Sequence, residues 1–357
     1  MHRVILPLAR RAGRTVVLSA IVFAAACSSD STSPEESADF ARGGQQGPDF
    51  RASAAAQSKH SERLMAIDGV EGHGLSLGAN GEPVIRIFTR HGAVGGLPRT
   101  LDGVPVEYEV SGQFSAILPS AKPTNPGGGG SSNPTSRFNR PVPIGISIGN
   151  VTECSAGTLG ARVSKGNTKY ILSNNHVLAR QNAAANGEDI LQPGRYDTGC
   201  SFTLNDAIAD LSQAIPISFS NDNQVDAAIA AIRSGSVDSA TTSAGYGVPG
   251  RTPVNAAIGM SVQKCGRTTN CTTGTISTLN ATVNVQYSGG IARFVGQIVI
   301  SGRRGAFSKQ GDSGSLIVTA NAAASPVALL FAGSQTYTIG NPIQAVLTSL
   351  GVTIDGK

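Results

Sequence analysis

From residue 138 to the end, the chain is cut into short apolar runs separated by turn residues. The runs include "PIGISIG", "AGTLGARV", "KYILSNNHVLA", "VDAAIAAI", "MSVQKCG", "TGTISTLNATVNVQY", "FVGQIVI", "GSLIVT" and "ASPVALLFAGS". Runs of this length and spacing build strands closing into a barrel or sandwich, not a helical bundle. The 44 glycines and the absence of tryptophan suit the same strand-and-turn reading. One helix is expected at the end, in "NPIQAVLTSLGV". There Asn341 reads as the N-cap and Pro342 as the first helical residue, with positions 343, 346, 347 and 350 on one apolar face.

Ahead of this unit the composition changes several times. Residues 1–27 start basic and lead into "TVVLSAIVFAAAC", an apolar stretch too short to span a bilayer and suited to a secretion signal. Small residues directly before Cys27 resemble a bacterial lipoprotein signal. That resemblance implies lipidation of Cys27 and, with Ser28 following, an outer-membrane lipoprotein. An ordinary cleaved signal peptide is the alternative, giving a periplasmic or extracellular protein. Residues 28–58, rich in Ser, Gly, Ala and Gln, read as a disordered tether. Residues 59–118 read as a small α/β domain, with a helix in "AAAQSKHSERLMAI" and strands in "HGLSLG", "PVIRIFT" and "VPVEYEV". Its His60, His73 and His91 are too scattered for a metal motif and read as surface residues. Residues 119–137 contain "AKPTNPGGGGSSNPTS" and form a linker. The segment 59–118 is read as a pro-domain docking on the unit at 138–357, with a permanent spacer as the alternative.

The formal charge of +5 suggests a nucleic-acid partner only until Arg3, Arg10, Arg11 and Arg14 are set aside with the signal; 24 basic residues then face 23 acidic ones. Four cysteines remain beyond Cys27: Cys154, Cys200, Cys265 and Cys271. An even number in an exported chain suggests disulfides. Three pairings are formally possible, and the short "GRTTN" loop favours Cys265–Cys271, leaving Cys154–Cys200. No cysteine spacing is that of a zinc site, and residues 138–357 hold a single histidine, so no metal or other cofactor is expected.

That histidine, His176, follows an apolar strand in "YILSNNHVLA". Asp226 interrupts the apolar run "NQVDAAIA"; a carboxylate there needs a partner, and an imidazole N–H is a suitable one. Ser313 sits in "GDSGS" between glycines. The order His, Asp, Ser separates this chain from two other serine-hydrolase arrangements. Ser315 also breaks the G-x-S-x-G elbow.

Together "SNNHVLA", "NQVDAAIA", "KCGRTT" and "GDSGSL" resemble the chymotrypsin/trypsin-like serine peptidase superfamily. More narrowly, they resemble the bacterial and plant trypsin-like proteins typified by the plant NARROW LEAF 1 protein. Asn175 and Ser315 depart from the superfamily's usual alanine and glycine. The resemblance implies a chymotrypsin-like double β-barrel over about residues 140–350. It implies a secreted or surface-anchored serine endopeptidase acting on protein or peptide substrates. Ser313 would be the nucleophile, His176 the general base and Asp226 its orienting acid. The Gly311 and Ser313 N–H groups would form an oxyanion hole, with Asp312 stabilising the loop. It also implies a substrate pocket based on Phe307, six residues before the serine, with Ala332, Gly333 and Ser334 pairing to an extended substrate. No Ile-Val-Gly-Gly activation sequence precedes the barrel. A non-catalytic surface binding module and a serine esterase are the alternative functions.

Overall fold

The computed structural model describes residues 47–116 and 133–357. The segment read as a signal, with Cys27, and most of the segment read as a linker lie outside the described residues. A small α/β unit comprises α1 (Pro48–Met65), β1 (Val70–Leu77), β2 (Pro83–Thr89), β3 (Thr100–Leu101), β4 (Val104–Val110) and β5 (Phe114–Ser115). The first barrel follows with β6 (Val142–Ile144), β7 (Ser147–Asn150), β8 (Gly157–Thr158), β9 (Ala161–Lys165), β10 (Thr168–Ser173), the single-turn α2 (Asn175–Leu178), β11 (Asp189–Leu191), β12 (Ala207–Ala214), β13 (Ala228–Ile232) and β14 (Val237–Thr241). The second comprises β15 (Ser261–Gly266), β16 (Asn270–Tyr287), β17 (Gly290–Gly302), β18 (Leu316–Thr319), β19 (Pro326–Gly333) and β20 (Tyr337–Pro342), then α3 (Ile343–Leu350) and β21 (Thr353–Ile354). The double β-barrel with a short C-terminal helix, preceded by a small α/β unit, is the architecture expected from the sequence.

The first sheet runs β21-β9-β10-β13-β12-β11-β7-β8 and curls so that its far end returns beside β10, with Gly160 N–H donating to Leu172 O at 2.9 Å. In the second unit the order β15-β18-β19-β20-β17-β16 closes on itself through an added β15–β16 pairing. Ile144, Ile146, Ile148 and Ile171 fill the first barrel. Val262, Ile276, Ile300 and Ile317 fill the second. A third cluster joins Leu172 and Ile229 to Leu316, Leu329 and the α3 residues Ile343, Val346 and Leu350. That cluster is the seam between barrels, and it buries the helical face expected for α3.

Three local readings need correction. Helix α1 begins at Pro48, within the stretch read as a tether. Its inward face carries Phe50, Ser53, Ala56, Gln57 and Leu64, so small and polar residues hide the apolar period. Asn341 is no N-cap: it is buried in β20, and Pro342 occupies the cap position. His73 is fully buried, not on the surface.

The small unit and the second barrel share one sheet, since β1 pairs antiparallel with β16 in the register Gly72↔Val283 and His73↔Thr282. The absence of side chains at Gly72 and Gly74 permits this approach. A Cβ at Gly72 would lie 2.6 Å from Thr282 O, and one at Gly74 would lie 2.4 Å from Thr278 Cγ2. Around them Gln57 Nε2 donates to Asn280 O at 2.8 Å, and Arg293 pairs with Glu62 at 2.9 Å.

His73 makes this joint sensitive to acid. Gln57 and Ser61 contact its two ring nitrogens at 3.1 and 2.9 Å. Burial, helped by Arg293 and opposed by Glu62, pushes its pKa down to about 4. The neutral ring is therefore the native form, and its contribution is complete above the ordinary value of 6.5 and lost as pH falls toward 4. The full effect is on the order of 3 kcal/mol. Protection of β1 amides, after correction for the slowing of intrinsic exchange by acid, should fall between these pH values. Glu71, raised by burial against Arg90, titrates as well. The readout is thus the difference between wild type and His73→Gln, whose curve should be flatter.

Candidate active site

Strands β10 and β13 pair antiparallel with Ser173 opposite Ala228. His176, just beyond one strand, and Asp226, just before the other, therefore meet at the same end of the barrel. His176 Nδ1 lies 2.5 Å from Asp226 Oδ2, and the His176 backbone N–H donates to Oδ1 at 3.2 Å. A carboxylate only accepts, so the proton is on Nδ1 and the Nε2 lone pair is free. Nε2 is buried and has no hydrogen-bond partner among the described residues.

Asp226 has no exposed surface, and residues to which the sequence reading gave no role at this site hold it. The Tyr287 hydroxyl donates to Oδ2 at 2.9 Å. Asn174 Nδ2 donates to the Asp226 carbonyl at 2.7 Å, and the Asp226 N–H donates to Asn341 Oδ1 at 3.0 Å. Asn341 is itself fixed by Gln297 at 2.7 Å. Burial, with the adjacent Asp226 charge, keeps the Tyr287 phenol protonated far above its usual range. Asn175 serves as a bracket, donating to Asn182 Oδ1 at 2.8 Å and to Ile215 O at 2.7 Å.

Ser313 lies in the turn before β18. Gly311 has φ +92°, a left-handed conformation that favours glycine. The Gly311 and Ser313 N–H groups have no hydrogen-bond partner among the described residues. Between them Asp312 is fully buried. Its Oδ1 accepts from the Thr268 and Thr269 N–H groups at 2.8 and 3.1 Å, and its Oδ2 from the Thr269 hydroxyl and Lys309 N–H at 2.7 and 2.9 Å. The Ser313 carbonyl accepts from Thr158 N–H at 2.8 Å. Gly157 brings the two loops together, because a Cβ there would touch both Val177 and the Ser313 carbonyl, at 2.5 and 3.1 Å. Ser313 Oγ points to Phe331 O at 3.4 Å and makes no hydrogen bond to His176.

Beside Ser313 is a cavity of about 630 Å³ lined by Ser308, Lys309, Ala332, Gly333 and Ser334, with Gln113 and Ser115 from the small unit. Phe307 does not form its base; its side chain packs in the second-barrel core with Val262 and Ile300. The neighbouring Ser308 lines the cavity instead, its hydroxyl 2.6 Å from that of Thr338. Strand β5 lies at the same place, antiparallel to β19 with Ser115 opposite Gly333, and parallel to β16.

Cys154 is bonded to Cys200, and Cys265 to Cys271. The second bond closes the β15–β16 hairpin whose loop donates to Asp312. From that loop Arg267 reaches the first barrel, pairing with Asp197 through Nε at 3.0 Å and stacking on Tyr196 at 4.9 Å. Among the described residues no group of three or more His, Cys, Asp or Glu side chains is placed to hold a metal ion.

No curated protein matches the chain. Solved structures similar to it include a glutamic-acid-specific serine protease that uses a histidine triad in substrate binding, 22% identical with TM-score 0.43 over 60% of this chain and 100% of that one. Thermobifida fusca protease A is 18% identical with TM-score 0.44, over 60% and 99% of the two chains. Cellulomonas bogoriensis chymotrypsin is 19% identical with TM-score 0.43, again over 60% and 99%. The family described as the Nal1 C-terminal domain matches residues 215–340, about a third of the chain, taking in Asp226 and Ser313 but not His176.

Proposed function

We propose that the protein is an exported serine endopeptidase with Ser313, His176 and Asp226 as its catalytic groups. The observation that carries this reading is the buried His176–Asp226 pair, which leaves Nε2 free, with a serine whose turn Gly157 brings against the His176-bearing turn at Val177, and whose loop carries two N–H groups, at Gly311 and Ser313, unbonded among the described residues. The two disulfides fit an oxidising compartment. Lipidation at Cys27, with anchoring to the outer membrane, belongs to the same reading.

Catalysis begins when Ser313 turns its hydroxyl from Phe331 toward Nε2. His176 takes the proton as Oγ bonds to the substrate carbonyl carbon, and Asp226 stabilises the resulting imidazolium. The carbonyl oxygen, now negative, lies against the Gly311 and Ser313 N–H groups. The C–N bond then breaks, and His176 delivers its proton to the leaving amine. Water, deprotonated by His176, cleaves the acyl ester and restores the Ser313 hydroxyl. Among the described residues the cavity is lined by Lys309 and by no carboxylate, which disfavours Lys and Arg side chains of substrates.

Ser313→Ala and His176→Ala should abolish fluorophosphonate labelling and peptide hydrolysis, and Asp226→Asn should reduce turnover on the order of 10⁴-fold. Labelling without hydrolysis of any protein in a substrate panel would point to an esterase. Equal hydrolysis by wild type and Ser313→Ala would leave a binding module.

The small unit fits a pro-domain that restrains this site. Residues 114–116 take the place where an extended substrate would pair with β19, and Phe114 anchors them in a buried contact with Phe88 at 5.8 Å. Truncating a buried Phe costs about 3–5 kcal/mol, enough to loosen this strand. Phe114→Ala in the full chain should therefore speed fluorophosphonate labelling at least about tenfold. An unchanged labelling rate favours the spacer.

A further inference from the structure

The cavity beside Ser313 is walled by donor protons that no group among the described residues accepts. Ser308 and Thr338 are both buried, and their hydroxyl oxygens lie 2.6 Å apart with no other side-chain hydrogen bond among the described residues. Two hydroxyls joined by one hydrogen bond spend one proton between them. With Thr338 donating, the Ser308 proton is left over, and Ser308 is the member of the pair that lines the cavity. Ser334 lines it too, and its oxygen accepts from the Thr336 and Tyr337 N–H groups at 3.3 and 3.2 Å, so its own proton is also unspent. An apolar side chain filling this space would shut the Ser308 proton away from water with no acceptor, which is unfavourable.

Charge points the same way. Residues 288–311 include Arg293, Arg303, Arg304 and Lys309 and no acidic residue. Arg293 pairs with Glu62 and Asp222. Arg303, Arg304 and Lys309 are exposed, and their side chains have no carboxylate partner among the described residues. Ala306, Ser308 and Lys309, from the loop that also carries Arg303 and Arg304, form one wall of the cavity. The acid of this loop, Asp312, is fully buried, and its oxygens are engaged by Thr268, Thr269 and the Lys309 N–H. A cleft bordered by one sign of charge favours a ligand of the other.

We propose that the cavity takes an acidic substrate side chain, on the residue whose carbonyl Ser313 attacks, with Ser308 as the specificity-determining residue. This rests on the serine-endopeptidase reading and names its substrate class. The Thr338 hydroxyl donates to Ser308 and holds it; the Ser308 hydroxyl donates to the carboxylate, and Lys309 supplies opposite charge. Glutamine has the shape of glutamate and can accept the same proton. It carries no charge for the cations to attract, however, and it brings two N–H protons of its own to a wall already rich in donors. Leucine leaves the Ser308 proton stranded, and lysine meets Lys309 with like charge.

The test uses the full-length protein and fluorogenic peptides that differ only in the residue before the cut bond: Glu, Gln, Leu or Lys. Wild type should cleave the Glu peptide with kcat/KM at least about tenfold above the Gln peptide, and further above the other two. Ser308→Ala should lower the Glu-to-Gln ratio on the order of tenfold. Lys309→Met should lower it as well, and added salt should do the same to wild type, because salt screens an exposed cation. Lys169→Met, a surface control, should keep the ratio. Equal hydrolysis of the Glu and Gln peptides by wild type, or a ratio unmoved in both Ser308→Ala and Lys309→Met, would overturn the proposal. If Ser308→Ala does not fold, Lys309→Met decides, since that side chain is exposed. If no peptide is cut, the endopeptidase reading falls, and binding judges the cavity alone. Calorimetry on the wild-type chain should then find a peptide amide ending in Glu bound at least about tenfold more tightly than one ending in Gln. Equal or absent binding of the two overturns the proposal.

Discussion

Asp226 is a carboxylate sealed from solvent at the meeting of two barrels. Left without donors, it would be among the most costly groups in the molecule. Its donors come from both sides of the seam: the His176 ring and backbone from the first barrel, and the Tyr287 hydroxyl from the second. Asn341, also from the second barrel, fixes the Asp226 backbone. Neither barrel can satisfy Asp226 alone, so the group that orients His176 also specifies how the barrels dock. Apolar burial in the seam, with Leu172 and Ile229 against Leu316 and Leu329, supplies bulk attraction. The polar set supplies register.

A second tie crosses the same seam nearer the surface. Arg267 leaves the hairpin closed by Cys265–Cys271 and meets Asp197, which lies in the turn held by Cys154–Cys200. Each partner of this ion pair is therefore braced by its own disulfide. The ion pair is nearly buried, with side-chain exposures of 8% and 5%, and Asp197 has a second donor in the Ser147 hydroxyl at 2.6 Å. Such a pair favours one arrangement strongly because breaking it strands a charge.

His176, Asp226 and Ser313 were legible because each disturbs a local pattern: a polar residue after a strand, an acid in an apolar run, a serine between glycines. Tyr287 and Asn341 disturb nothing locally. They reach Asp226 across 61 and 115 residues, and only the closed barrel brings them there. Asn341 was misread for a related reason, since Asn-Pro before an apolar run is a helix-start signal that the strand β20 overrode. Phe307 failed by one position. Counting back from Ser313 ignores that neighbouring side chains in extended chain face opposite ways, so the phenylalanine went to the core and Ser308 to the cavity. Helix α1 starts at Pro48, ahead of the Ala54 start expected, and Ser53 on its buried face hides the apolar period there. The shared sheet could not be foreseen, since nothing local marks Gly72 and Gly74 as the point where β1 approaches β16.

That shared sheet also bears on solubility. Strand β16 spans Asn270–Tyr287, and β1 covers the backbone donors and acceptors along its middle. A barrel parted from residues 47–116 would present them as a bare strand edge, next to an apolar patch from which Phe88 and Phe114 had been withdrawn. Open edges of this kind recruit other extended chains. The liberated barrel would thus be a colloidal hazard to itself, gaining an accessible cleft and a tendency to self-associate in the same step. The small unit keeps that edge covered for as long as the two parts stay together.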